Sequence, residues 1–189
     1  GVGTANGNLH INGGGQNLTL NVGSGGANLN DLITGLGLDV VSATIAENGS
    51  VTILARSGLT IRTMALTGTG SATFDADSDD NNDANALFYV TSGHSLTTQD
   101  QPVTITARDF FNHGGTINTG SGDITLKPST AVGIGVGNGA GQFDIEDADF
   151  DIMTTTGTIV IGDAALASAV EIGGVTAGTK TVGVRPNST

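Results

Sequence analysis

The chain has 189 residues, 31 of them Gly and only 3 Pro, with 18 acidic residues against 6 basic ones for a formal net charge of −12. A surface this acidic repels phosphate backbones and anionic lipid, so neither nucleic acid nor a membrane is an expected partner. With no Cys there is no disulfide and no thiolate metal site, and no apolar run is long enough to predict a transmembrane segment.

At 37% apolar residues the chain can fill a core, so its glycines point to many tight turns rather than to disorder. Aromatics are 4% and Trp is absent, which leaves Val, Ile, Leu and Ala to build that core. The size fits a single domain over residues 1–189. The chain begins at Gly1 with neither Met nor a signal peptide, and reads as a processed product or a fragment of something longer.

In chain order, residues 8–11 and 17–22 alternate at period two around the turn Gly13-Gly14-Gly15, as half-buried strands do. Leu29, Leu32, Ile33 and Leu36 then stand at i, i+3, i+4 and i+7, behind Asn28 or Asn30 and before Gly37. That spacing predicts a short helix over residues 28–36. At about nine residues it would not hold alone in water, so it is expected as an insertion at 27–37 lying over one end of the strand stack.

Strands are expected again over 40–45, 50–55 and 59–66, punctuated by the turn signals Asn48-Gly49 and Ser57-Gly58. The acidic stretch DADSDDNNDAN breaks the pattern as a second insertion, at 75–86. Residues 87–90 and 103–107 resume it, with Pro102 before the second, where a proline is tolerated. Beyond Gly115 the strands are short and separated by one to four Gly, Ser or Asn residues, too few for a crossover helix. The last are expected at 169–172 and 180–184.

A degenerate G-x-I-x-I theme recurs at Gly49, Gly58, Gly115, Gly122 and Gly157 without an exact repeat. Such units at uneven spacing predict an all-β fold, a right-handed parallel β-helix (β-solenoid), with coils of roughly 20–30 residues and about six to nine of them. An antiparallel β-sandwich is the rival over residues 1–110. The run Gly122-Asp-Ile-Thr-Leu-Lys-Pro128, Ile134-Gly-Val-Gly137, Gln142-Phe-Asp-Ile145 and Gly157-Thr-Ile-Val-Ile-Gly162 resembles a unit of the filamentous-haemagglutinin-like bacterial surface proteins. The match departs from that unit at residues 150–156, which are more apolar than its polar helical turn. The resemblance implies secretion, a rod shape and a part in adhesion or extracellular structure, and it carries over no catalytic residue.

The acidic stretch holds the leading candidate site. Asp75, Asp77, Asp79, Asp80 and Asp83 are candidate ligands for calcium, a hard ion that takes six to eight oxygens. The frame is not an EF-hand, since Asp80 and Ala86 stand where Gly and Glu are needed, and a solvated loop is the competing reading. His10, His94 and His113 fit no zinc spacing. Ser57, Ser95 and Ser121 lack the strand–turn–helix setting of a nucleophile. The glycines of 133–139 lack the Lys-Ser/Thr ending of a phosphate loop. Phe74, Phe88, Tyr89, Phe110, Phe111, Phe143 and Phe150 are expected mainly as stacked rings inside a coil. Thr67/Thr69, Thr104/Thr106 and Thr179/Thr181 have the spacing of an ice-binding face but are not expected once per coil. Asn17, Asn48 and Asn187 open N-glycosylation patterns of the kind expected by chance in such a composition.

The expectation is therefore a non-enzymatic structural protein, extracellular or on the cell surface, a rod or fibre segment whose partners are copies of itself end to end. The alternatives are an adhesin segment that binds a surface glycan and, behind it, a polysaccharide-cleaving β-helix enzyme.

Overall fold

The computed structural model describes residues 18–23, 27–30, 38–47, 50–111, 113–166 and 168–185, with side chains from residue 50 onward. The protein is predominantly β, and the strand pairs among the described residues are parallel. Parallel pairing rules out the antiparallel sandwich for these segments.

Strands alternate between two sheets. The first contains β1 (Leu18–Gly23), β3 (Leu38–Glu47), β5 (Leu59–Gly68), β7 (Leu87–Thr98), β10 (Thr116–Gly120) and β14 (Met153–Thr155) in that order, with β9 (Asp109–Phe110) also beside β7. The second runs β2 (Ala27–Asn30), β4 (Val51–Leu54), β6 (Ala72–Asp75), β8 (Val103–Ala107), β11 (Ile124–Pro128), β15 (Thr158–Ile161) and β17 (Thr181–Val184). A third, small sheet places β12 (Ile134–Val136) between β13 (Phe143–Ile145) and β16 (Val170–Ile172). The one helix among the described residues, α1 (Asp147–Ile152), joins β13 to β14.

Register explains the sequence pattern. Val51, Ala72, Val103, Ile124 and Ile159 form one column across the second sheet, and Ile53, Phe74, Ile105, Leu126 and Ile161 form the next. All ten are buried. In the first sheet Met64, Leu96, Ile117 and Met153 do the same. Side chains one residue along point the other way, as period-two alternation requires. Thr52, Thr73, Thr104 and Thr125 thus make an outward, half-buried column. Threonine recurs at this one position on four neighbouring strands, flanked by Asn28 and Val160, and the paired Thr-x-Thr spacing does not recur once per strand. Two residues on stand Leu54, Asp75, Thr106 and Lys127, so no second threonine column accompanies it.

The rings divide between inside and outside. Phe74, Phe88, Phe110, Phe143 and Phe150 are buried, with Phe74–Phe88 centroids 5.8 Å apart and Phe88–Phe110 centroids 6.0 Å apart and stacked. Between β5 and β7 the register slips after Ile61↔Val90 and resumes at Thr63↔Ser95, so Thr91 to His94 are the longer side of a bulge. The Ser57-Gly58 turn forms as read, and Gly58 has φ +102° with Asn85 O where a Cβ would sit.

The N-terminal helix is overturned where it can be seen. Residues 27–30 are strand β2, with Leu29 opposite Ile53 of β4, while residues 31–37 lie outside the described residues. A helix that short has little stability of its own, whereas the edge of β4 offers a parallel ladder for its backbone. The strand expected at 8–11 and the turn at 13–15 also lie outside the described residues.

Candidate functional site

The acidic loop folds on itself and then onto its neighbours. Asp75 ends β6, and its Oδ1 accepts a hydrogen bond from Asp77 N at 3.0 Å. Asp77 is fully buried, and its Oδ2 accepts from Ser129 Oγ at 2.5 Å and from Asn82 N at 3.1 Å. Its other oxygen is enclosed without a partner. Asp79, Asp80 and Asp83 are exposed, and Asn81 Nδ2 donates to Asp79 Oδ2 and Asp83 Oδ2, both at 3.2 Å. Gln142 Nε2 reaches back to Asn82 Oδ1 at 2.8 Å. Burial pushes the Asp75 and Asp77 carboxyls up, against the hydrogen bonds that pull them down.

The five carboxylates expected as calcium ligands therefore divide into two that fasten the loop and three held apart at the surface. Among the described residues no three His, Asp or Glu side chains gather where they could hold a metal ion. The Asn82 N–H and the Ser129 hydroxyl engage Asp77 Oδ2, and Asn81 Nδ2 links Asp79 to Asp83, so these oxygens already serve the loop.

A second acidic group went unread in the sequence. Asp109 Oδ1 accepts from Phe110 N at 2.9 Å and from Asp144 N at 3.0 Å, tying β9 to β13. Asp149, buried in α1, accepts from Glu146 N at 2.8 Å through Oδ2 and so closes the helix start. Asp144 Oδ1 is enclosed without a partner, and a Cβ on Gly135 would lie 2.7 Å from it and 2.6 Å from Gly139 O. Burial raises the carboxyls of Asp109 and Asp144, and carries that of Asp149 to about 7, helped by the charges of Glu146, Asp109 and Asp144. A carboxylic acid poised near neutrality is what a general acid needs. Here, however, Asp149 is 4% exposed and bound to backbone, so as placed it serves the helix. The only signal was the unusual density of acids around Phe143-Asp-Ile145, which alternation alone cannot distinguish from a polar outer face.

The remaining candidates do not converge. His94 Nδ1 lies 2.9 Å from Thr63 Oγ1, His113 packs on Tyr89 and Phe111, and His10 lies outside the described residues. Ser57 is buried, Ser95 faces outward from β7, and Ser121 is at an exposed turn where its N–H donates to Asp100 Oδ1 at 2.7 Å. Of the glycines of 133–139, Gly135, Gly137 and Gly139 are packed against backbone, with Glu171 O where a Cβ on Gly139 would sit, while Gly133 has room for a side chain.

Toward the C-terminus the sheets end on open strands. Among the described residues β14 pairs only with β10, β17 only with β15 and β16 only with β12. A strand paired on one side presents a row of N–H and C=O groups to whatever comes next. Beside β16 stand two of the three large apolar side chains exposed among the described residues, Ile172 at 58% and Val175 at 37%.

A scan of family models and searches of curated proteins and solved structures return no match to this chain.

Proposed function

We propose that the chain is a structural segment of an extracellular rod or fibre, a right-handed parallel β-helix whose coils stack along one axis and whose ends join to copies of itself. The observation that carries this reading is the unbroken register of buried columns, Val51 to Ile159 and Ile53 to Ile161, which fills the space between sheets with apolar side chains. Chain alternation between two parallel sheets is what a coil produces. Crossovers between parallel strands of one sheet are right-handed in about 98% of cases, which supports the handedness. The likeness of residues 122–163 to filamentous-haemagglutinin-like units supports secretion and the cell surface as the setting.

The joint is made by the open edges of β14, β16 and β17. An end-to-end contact of unlike faces does not close on itself and extends into a filament. Sedimentation and negative-stain microscopy over a concentration series test this. Particles lengthening in steps of one coil stack are expected, and compact monomers at every concentration overturn it.

A further inference from the structure

Rings are scarce in this chain, yet three of them meet on the outside. Tyr89 and His113 have centroids 4.8 Å apart, and Phe111 lies 5.3 Å from His113, edge-on. Phe111 is 49% exposed and His113 is exposed, while Tyr89 is half-buried. The backbone explains the meeting. Leu87↔Asp109 and Phe88↔Phe110 pair in register, Phe111 N donates to Phe88 O at 3.1 Å, and Thr91 bridges to His113. Alternation thus sends Phe88 and Phe110 inward, and Tyr89 and Phe111 outward on adjacent strands. Thr60 stands opposite Tyr89 on the other side, half-buried on β5. Beside the rings the bulge leaves Ser92 exposed, and Gly93 has open space where a side chain would be.

We propose that Tyr89, Phe111 and His113 form a platform on which a pyranose ring of a neutral glycan stacks, with Thr60 and the bulge at 91–94 supplying hydrogen-bonding groups at its rim. Burying an exposed Phe face is favourable by about 25 cal/mol per Å², so the patch favours an occupant with a flat apolar face. With Tyr89 tilted 32° and Phe111 turned 62° from His113, the patch is sized for one sugar unit on the exposed Phe111 ring flanked by the other two, whereas a stable protein contact needs about 800 Å² on each side. An acidic chain with formal charge −12 disfavours anionic polymers, which leaves an uncharged saccharide as the fitting chemistry. This site does not depend on whether the ends of the molecule join.

The chain has one Tyr and no Trp, so tyrosine emission reports on this patch alone. Soluble hexasaccharides of glucan, chitin, mannan and galactan are titrated while that emission is followed, alongside pull-down on the insoluble polymers. At least one is expected to change the emission saturably. Phe111→Ala and His113→Ala are each expected to weaken its binding about tenfold with the circular dichroism spectrum unchanged. Phe111→Leu, which keeps apolar bulk without a ring, separates stacking from folding and is expected to weaken it as well. Absence of a response to all four sugars overturns the proposal, as does binding that survives Phe111→Ala. So does loss of self-association, rather than of sugar binding, in the Phe111 variants.

Discussion

Ser129 Oγ donates to Asp77 Oδ2 at 2.5 Å across 52 positions of sequence, inside the protein. The bond fastens the acidic loop after β6 to the segment after β11. It explains why a stretch read as a solvated insertion contains a fully buried carboxylate. Removing Asp77 leaves the Ser129 hydroxyl without this acceptor, and removing Ser129 leaves the buried Asp77 Oδ2 with Asn82 N alone, each at a cost of about 1–3 kcal/mol. Ser129→Ala and Asp77→Ala should each lower the melting temperature measurably, and the double variant should lose less than the sum of the two. Equal additivity in a double-mutant cycle would show that the bond contributes nothing.

The same loop geometry sets an expectation for calcium. Because Asn81, Asn82 and Ser129 hold one oxygen each of Asp79, Asp83 and Asp77, and no three carboxylates gather among the described residues, calcium at millimolar concentration should leave the melting temperature within about 1 °C of that in a chelator. A calcium-dependent rise of several degrees, lost in Asp79→Asn, would show that the loop rearranges around the ion.

Asp149 predicts a pH dependence with a definite sign. Its carboxyl lies near 3.8 when unfolded and is pushed up to about 7 in the folded state. Between those values the folded protein holds a proton that the unfolded chain has released. The stability this group lends is complete below about pH 4 and is lost as pH rises through about 7, on the order of a few kcal/mol in all. The charges of Glu146, Asp109 and Asp144 raise it further and so widen the pH range over which this stability is lost. Asp149→Asn keeps an acceptor for Glu146 N and should remove most of the slope near neutrality in melts between pH 4 and 8. A variant as steep as the parent would place the titration elsewhere.

Leu126 is a buried step in a continuous column, so Leu126→Ala should cost about 2–5 kcal/mol by chemical denaturation. Thr125→Val, one residue away on the outward column, should stay within about 0.5 kcal/mol. Reversal of that order would mean that the inward and outward faces have been exchanged.

Ile172→Lys at the open edge tests the joint. It places a charge beside β16 without touching the buried columns, so it should abolish concentration-dependent lengthening while leaving the melting temperature of the monomer unchanged. Filaments that persist would move the joint to another surface.

The sequence made the β-rich architecture legible because alternation and turn glycines are local signals. Residues 103–107 and 180–184 were read within a residue of their strands, and the acidic loop was read as a loop. Register is not local. The threonine column emerges only once Thr52, Thr73, Thr104 and Thr125 are aligned across four strands separated by loops of different length. The helix signal in Leu29, Leu32, Ile33 and Leu36 failed at its start because the neighbouring strand offered β2 a ladder that the spacing of apolar residues cannot show. Asp77 and Ser129 were unreadable as partners for the same reason. Only the folded chain brings them together.

The two long sheets do not finish level. Among the described residues one stops at β14 while the other adds β17 beyond β15, so the last described strands form a step. In the proposed fibre, a copy joined there would meet that step with its own strands pointing the same way as those already present. Growth from such a step fixes both polarity and angular phase, so every unit added would repeat the orientation of the last.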